Sequence, residues 1–317
     1  MRRRFAAASR VLAPALILIC GVTAAEAQER LRWGNDVEAG VATAKRTMKP
    51  LMFYVTRASD RRDEDLERDQ KRAFNDARVA ETAKRFVCVQ MSSSQHREML
   101  DRWKQPRDYY MYVLFATPEG DLLGQLGAMD VTSAEAFTRK MVTVFRQYRK
   151  QIYDQQVKEK VTSGKATPGE LKKALDFVRE MAVIEADADL VKLLDAKGVE
   201  DRQKAQIYDT LAFLATKPAT AALFDRAKAG DAAAAKALNG AEPGAAEHLM
   251  AALDEDDPAA VRTAYEAVAK MCRVKDIKPA RFFENSNERL VKEELQRVKK
   301  HAERVVKRWK EQYEEYR

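Results

Sequence analysis

From residue 31 to about residue 150 the chain alternates two kinds of hydrophobic spacing. Val37 to Met48 sets its apolar residues three and four apart, as a helix does, and Pro50 to Val55 is a continuous apolar run that reads as a strand buried on both faces. Ala77 to Arg85 reads as a short helix that leads into a second apolar run, Phe86 to Met91. Met99 and Trp103 share one face of a further helix. Tyr109 to Phe115 is a third run, and Thr117-Pro118-Glu119-Gly120 is a turn into Leu122 to Leu126, so these two strands are predicted to form an antiparallel hairpin. Ser133 stands where an N-cap is needed for a closing helix, with Phe137, Met141, Val144, Phe145 and Tyr148 as its buried stripe. Strands this apolar need helices on both sides.

The pattern changes near residue 150. Beyond it β-branched runs almost vanish and Ala, Leu, Lys and Glu dominate. Thr167-Pro168-Gly169-Glu170 opens a helix carrying Leu171, Leu175 and Val178. Helical patterns follow over Asp187–Leu194, Arg202–Leu214, Pro218–Ala227, Asp231–Leu238, Pro243–Leu253 and Pro258–Met271. Pairs restart near Pro168, Asp201, Asp231 and Pro258, and such short units bury a face only by stacking. Asp257-Pro258-Ala259-Ala260-Val261-Arg262, with Ala264 and Ala267, resembles the opening of a HEAT-like repeat. An irregular helical bundle is the alternative. From Val291, the residues Leu295, Val298, Ala302, Val305, Trp309 and Tyr316 mark one long amphipathic helix, suited to cap the stack or to pair with another chain as a coiled coil.

At the N-terminus Arg2, Arg3, Arg4 and Arg10 precede an apolar stretch from Val11 to Val22, and Ala25-Glu26-Ala27 supplies a small-x-small cleavage pattern. The expectation is an export signal over residues 1–27, cut after Ala27, and no transmembrane span afterwards. The stretch falls short of the ~20 apolar residues of a spanning helix. Arg3-Arg4-Phe5 is a weak twin-arginine match, and Ile19 before Cys20-Gly21 argues against a lipoprotein signal. The remaining organisation is an α/β domain over residues 28–150 and an all-α domain over 151–317.

Charge and sulfur narrow the chemistry. The 317-residue chain carries a formal net charge of +8, part of which sits in the signal. The remaining basic residues are interleaved with acidic ones, which suits solubility and gives no expectation of nucleic-acid binding. Removal of the signal takes Cys20 and leaves Cys88 and Cys272, one possible disulfide in an oxidising compartment.

Trp33, Lys49-Pro50-Leu51-Met52-Phe53-Tyr54, Phe86-Val87-Cys88-Val89 and Thr117-Pro118-Glu119-Gly120, in that order and spacing, resemble the landmarks of exported thioredoxin-like domains. The resemblance spans roughly residues 31–149 and implies a mixed sheet flanked by helices. It also implies a Cys-x-x-Cys pair at the tip of the helix after the first central strand. Counting on from Lys49-Pro50, that pair falls on Asp60 and Asp63, with Arg61 and Arg62 between them. At the position where the family's cis-proline is expected stands Met111.

Carboxylates cannot perform thiol-disulfide exchange, which needs a thiolate to attack and a second thiol to resolve the mixed disulfide. Asp60 and Asp63 suit the first turn of a helix as capping groups. A divalent cation is disfavoured by Arg61, Arg62 and the absence of a nearby His. Residues 57–72 form a dense mixture of charges, readable as a solvated helix face with Leu66, Ala73 and Phe74 turned inward, or as a partner-binding rim. Cys88 lies between Val87 and Val89 and reads as buried packing rather than as a nucleophile. His96, His248 and His301 stand apart, with no Cys or carboxylate at ligand spacing. The leading expectation is therefore an exported, redox-inactive thioredoxin-fold protein acting as an interaction or scaffold module for a protein partner. No catalytic, cofactor-binding or metal residues are expected. The rival is a thiol oxidoreductase or redox sensor using Cys88.

Overall fold

The computed structural model describes residues 30–56, 64–105 and 112–313. The first region contains α1 (Val37–Thr47), β1 (Leu51–Thr56), α2 (Glu64–Phe74), α3 (Ala77–Ala83), β2 (Val87–Ser92), α4 (Arg97–Arg102), β3 (Tyr112–Ala116), β4 (Leu122–Leu126) and α5 (Ala134–Ile152). Local chemistry sets the ends. Asp36 caps α1 by accepting from the Ala39 amide at 2.9 Å, and Met48, in the left-handed region, ends it two residues before Pro50. Ser133 caps α5, accepting from the Ala136 amide at 3.3 Å.

The four strands make one mixed sheet in the order β2-β1-β3-β4. β1 and β2 are parallel, β3 runs antiparallel to β1, and β4 pairs antiparallel with β3 around an irregularity at Phe115/Ala116. Gly34 adds a single parallel bridge outside β2, donating to the Cys88 carbonyl at 3.0 Å and accepting from the Gln90 amide at 2.7 Å.

Alternation along the strands divides the core in two. Met52, Tyr54, Val113 and Phe115 face α2, α3 and α5, where they meet Phe74, Val79, Phe137, Met141 and Phe145. Leu51, Phe53, Val55, Leu114 and Ala116 face α1 and α4, against Val37, Ala44, Leu100 and Trp103. Each fully buried side chain of this size contributes about 1.5–3 kcal/mol. The result is a three-layer α/β/α unit. Gly40 lets α1 lie close on β2, since an added Cβ would overlap the Val89 methyl group.

No linker follows residue 150. α5 runs on through a π-helical turn at Tyr153–Val157 into α6 (Lys158–Thr162). Then come α7 (Pro168–Glu180), α8 (Asp187–Leu194), α9 (Asp201–Leu214), α10 (Lys217–Lys228), α11 (Ala232–Asn239), α12 (Ala246–Leu249), α13 (Pro258–Met271), α14 (Ala280–Asn285) and α15 (Glu288–Tyr313). Thr167 and Glu170 close a capping box on α7, and Asp231 and Asp257 cap α11 and α13. The expected helix over Pro243–Leu253 is instead two 3₁₀ turns flanking the short α12. Its first turn is pinned by Gly244 against the Trp309 ring, where a Cβ would overlap the indole.

α15 lies on α12 and α13 and buries Val298, Ala302 and Val306, with Leu295 and Val305 half-buried beside them. Trp309 donates from Nε1 to Glu242 at 3.3 Å. The helix thus covers the end of the stack with the face that a coiled coil would have used. One contiguous core runs from Met52 to Val306. No helix among the described residues is long and apolar enough to cross a membrane.

Candidate functional site

The residues at the expected active-site tip, Asp60, Arg61, Arg62 and Asp63, lie outside the described residues, and so does Met111. Their flanks are described. Val55 near the end of β1 pairs with Tyr112 at the start of β3, so the two segments leave the sheet at the same end.

Beside that end stands an aromatic and polar cluster. Trp33 lies 5.4 Å, centroid to centroid, from both Tyr54 and Phe74, and Tyr54 meets Phe74 edge-on at 5.1 Å. The Tyr54 hydroxyl donates to Gln70 Oε1 at 2.9 Å, and Gln70 Nε2 donates to the Ala128 carbonyl at 3.0 Å. Burial, with a smaller push from the Glu67 carboxylate, raises the Tyr54 phenol to about 12. Gln70 is fully buried. The sequence reading missed it, although its spacing from Leu66, Ala73 and Phe74 put it on the inward face of α2. Its amide ties α2 to the sheet and to the turn after β4, fixing the helix that begins at the candidate surface.

Cys88 lies on β2 opposite Met52, its Sγ 3.6 Å from the Ala83 carbonyl oxygen. Burial pushes its thiol up to about 12, and the Lys49 charge offsets only part of that. Cys272, buried at the end of α13, is pushed up to about 11 by burial alone. Both cysteines are free. A thiol raised in this way stays protonated at neutral pH, whereas a nucleophile needs its thiolate.

The histidines stay apart. His96 Nδ1 lies 3.0 Å from the Ser92 carbonyl oxygen, and His301 Nε2 lies 3.0 Å from that of Cys272. His248 is held below its ordinary range, chiefly by burial. Among the described residues no three His, Cys, Asp or Glu side chains converge as a metal site would require.

A second polar cluster joins the two regions. Arg149 is fully buried at the end of α5 and meets Glu185 at 3.4 Å; one turn on, the Tyr153 hydroxyl donates to Asp189 at 2.7 Å. Burial, the Asp189 hydrogen bond and neighbouring carboxylates keep the Tyr153 phenol protonated far above its usual range. Arg149, four residues after Phe145, occupies an inward position of the α5 stripe that the sequence reading left unassigned. These groups hold α5 to the segment around α8 and have the chemistry of a structural joint.

Compared with known protein families, with curated proteins and with solved structures, the chain matches none.

Proposed function

We propose that the protein is an exported thioredoxin-like domain without thiol chemistry, fused to a helical region and acting as an interaction or scaffold module for a protein partner. The observation that carries this reading is the state of the sulfur. The chain has three cysteines, at positions 20, 88 and 272, and no Cys-x-x-Cys. The two beyond the signal are free and held protonated by burial.

The thioredoxin-like part is supported by a parallel β1–β2 pair followed by an antiparallel hairpin and a closing helix. It is supported too by the shared sheet end from which the segments bearing Asp60–Asp63 and Met111 depart. With aspartates where the cysteines of a redox domain would stand, residues 60–63 hold no sulfur with which to exchange electrons. A rigid α/β unit joined without a linker to a helical stack then presents surface to a partner.

Thiol titration of the native protein, freed of its signal, tests this directly. A colourless-to-yellow disulfide reagent at pH 8 is expected to find no reactive thiol in the folded chain and two after denaturation in guanidinium. Rapid modification of native Cys88, lost in Cys88→Ser, would favour an oxidoreductase or redox sensor instead.

A further inference from the structure

Beyond residue 27 the net positive charge of this protein is gathered at the C-terminal end of the chain. Residues 270–317 hold 15 Lys and Arg against 9 Asp and Glu, whereas residues 28–269 hold 38 against 39. At this basic end a cleft of about 280 Å³ opens between α13 and the turn leading to α14. Its walls are mixed. Tyr265, Phe283 and Ile277 supply apolar surface, Arg262, Lys270 and Lys278 supply three cations, and Glu266 supplies one carboxylate.

The apolar wall is rigid. Tyr265 is buried, meets Phe283 edge-on at 4.8 Å, donates to Glu294 at 2.6 Å and accepts from the Lys278 amide at 2.8 Å. Glu294 is clasped by Arg297 at 2.7 and 2.8 Å. Burial alone would raise its carboxyl, and these donors hold it below the ordinary carboxylate range. Ile277, by contrast, is 38% exposed at the mouth, an apolar side chain with water on one side.

The cations are only partly neutralised. Lys270 pairs with Glu266 at 2.6 Å, and Arg262 reaches Glu284 at 3.8 Å across solvent. The Lys278 ammonium makes no close ion pair among the described residues, although its charge helps to hold the Glu294 carboxyl down. The groove between α7 and α9 differs, because there Lys172 and Arg179 stand among Asp176 and Asp209 and the signs balance.

We infer that this cleft is a docking site for an acidic peptide segment of a partner protein, with an aromatic or large aliphatic side chain seated against Tyr265, Phe283 and Ile277 and flanking carboxylates on Lys278, Lys270 and Arg262. This deepens the interaction-module reading and rests on it. Charge complementarity selects the occupant. A cationic peptide or the basic end of a second copy is repelled, and the aromatic wall rewards a side chain that a purely ionic ligand lacks.

The test is fluorescence anisotropy of the full chain, without its signal, using a fluorescein-labelled peptide of alternating Asp and Glu around a central Phe. Binding that weakens with salt is expected. Lys278→Glu weakens it about ten-fold, Ile277→Asp weakens it similarly, and replacing the central Phe by Ser weakens it for the unaltered chain. Ile277 is exposed and Lys278 half-buried, and unchanged circular dichroism and urea midpoints verify that the variants fold. Lys278→Gln gives the same direction with a smaller perturbation. Equal affinity in all variants, or equal affinity for the Ser peptide, overturns the assignment. So does competition by single-stranded DNA or phosphatidylglycerol vesicles as strong per charge as by the peptide itself, which would indicate a general anion surface. Failure here with native thiols still silent removes only this cleft assignment, whereas thiol turnover by the native chain removes the reading beneath it.

Discussion

Burial raises both the Cys88 thiol and the Tyr54 phenol to about 12, above the ordinary values of 9.0 and 10.0 that they regain on unfolding. A raised value means that the folded form holds its proton where the unfolded form has released it. The stabilisation is therefore complete below about pH 9 and is lost as pH climbs towards 12. Each proton held differently costs about 1.4 kcal/mol per pH unit across that window. Urea denaturation between pH 8 and pH 11 should show a stability plateau and then a decline. Cys88→Ala should roughly halve the decline between pH 9 and 10, where the raised Cys88 and Cys272 thiols both contribute, and an unchanged slope there would contradict the raised Cys88 thiol. The sequence predicts a buried Cys88 from the apolar residues on either side, and the structure leaves it half-buried on the edge strand β2. Gln70 and Arg149 were not readable from sequence. Their inward spacing was visible, but a buried polar group makes sense only with its partners, Tyr54 and Glu185, which no local pattern connects to them.

Elements were most legible where local chemistry sets their limits. Leu122–Leu126, Asp187–Leu194 and Pro258–Met271 have the bounds that their residues suggest, and Ser133, Asp231 and Asp257 cap the helices they precede. The Pro243–Leu253 segment departs because a tertiary contact outweighs its helical spacing: Gly244 lies against Trp309 of α15. Gly244→Ala should therefore cost about 1–3 kcal/mol of stability through overpacking. Gly169→Ala in the first turn of α7, where an added Cβ has nothing within 4 Å, should be neutral or slightly stabilising. Chemical denaturation of the two variants measures the contrast, and a neutral Gly244→Ala would mean that α15 does not clamp this turn. The continuation of α5 through the π turn into α6 was also hidden in the sequence, where the change of composition near residue 150 suggested a boundary and gave no sign of a continuous helix.

Across the whole molecule, a three-layer α/β unit and a helical stack share one contiguous core, closed at the far end by α15. The mixed sheet and the helical region could be anticipated from hydrophobic spacing alone. The candidate tip at Asp60–Asp63 could be named only through family resemblance, and it lies outside the described residues. We propose that this architecture serves binding without electron transfer, because burial raises both thiols among the described residues, Cys88 and Cys272. Reduction of insulin by dithiothreitol, followed as turbidity with and without the protein from residue 28 onward, measures that proposal. The expected result is no acceleration over dithiothreitol alone, for the unaltered chain and for Cys88→Ser/Cys272→Ser alike. Catalysed precipitation of insulin by the unaltered chain, abolished by Cys88→Ser, would contradict it.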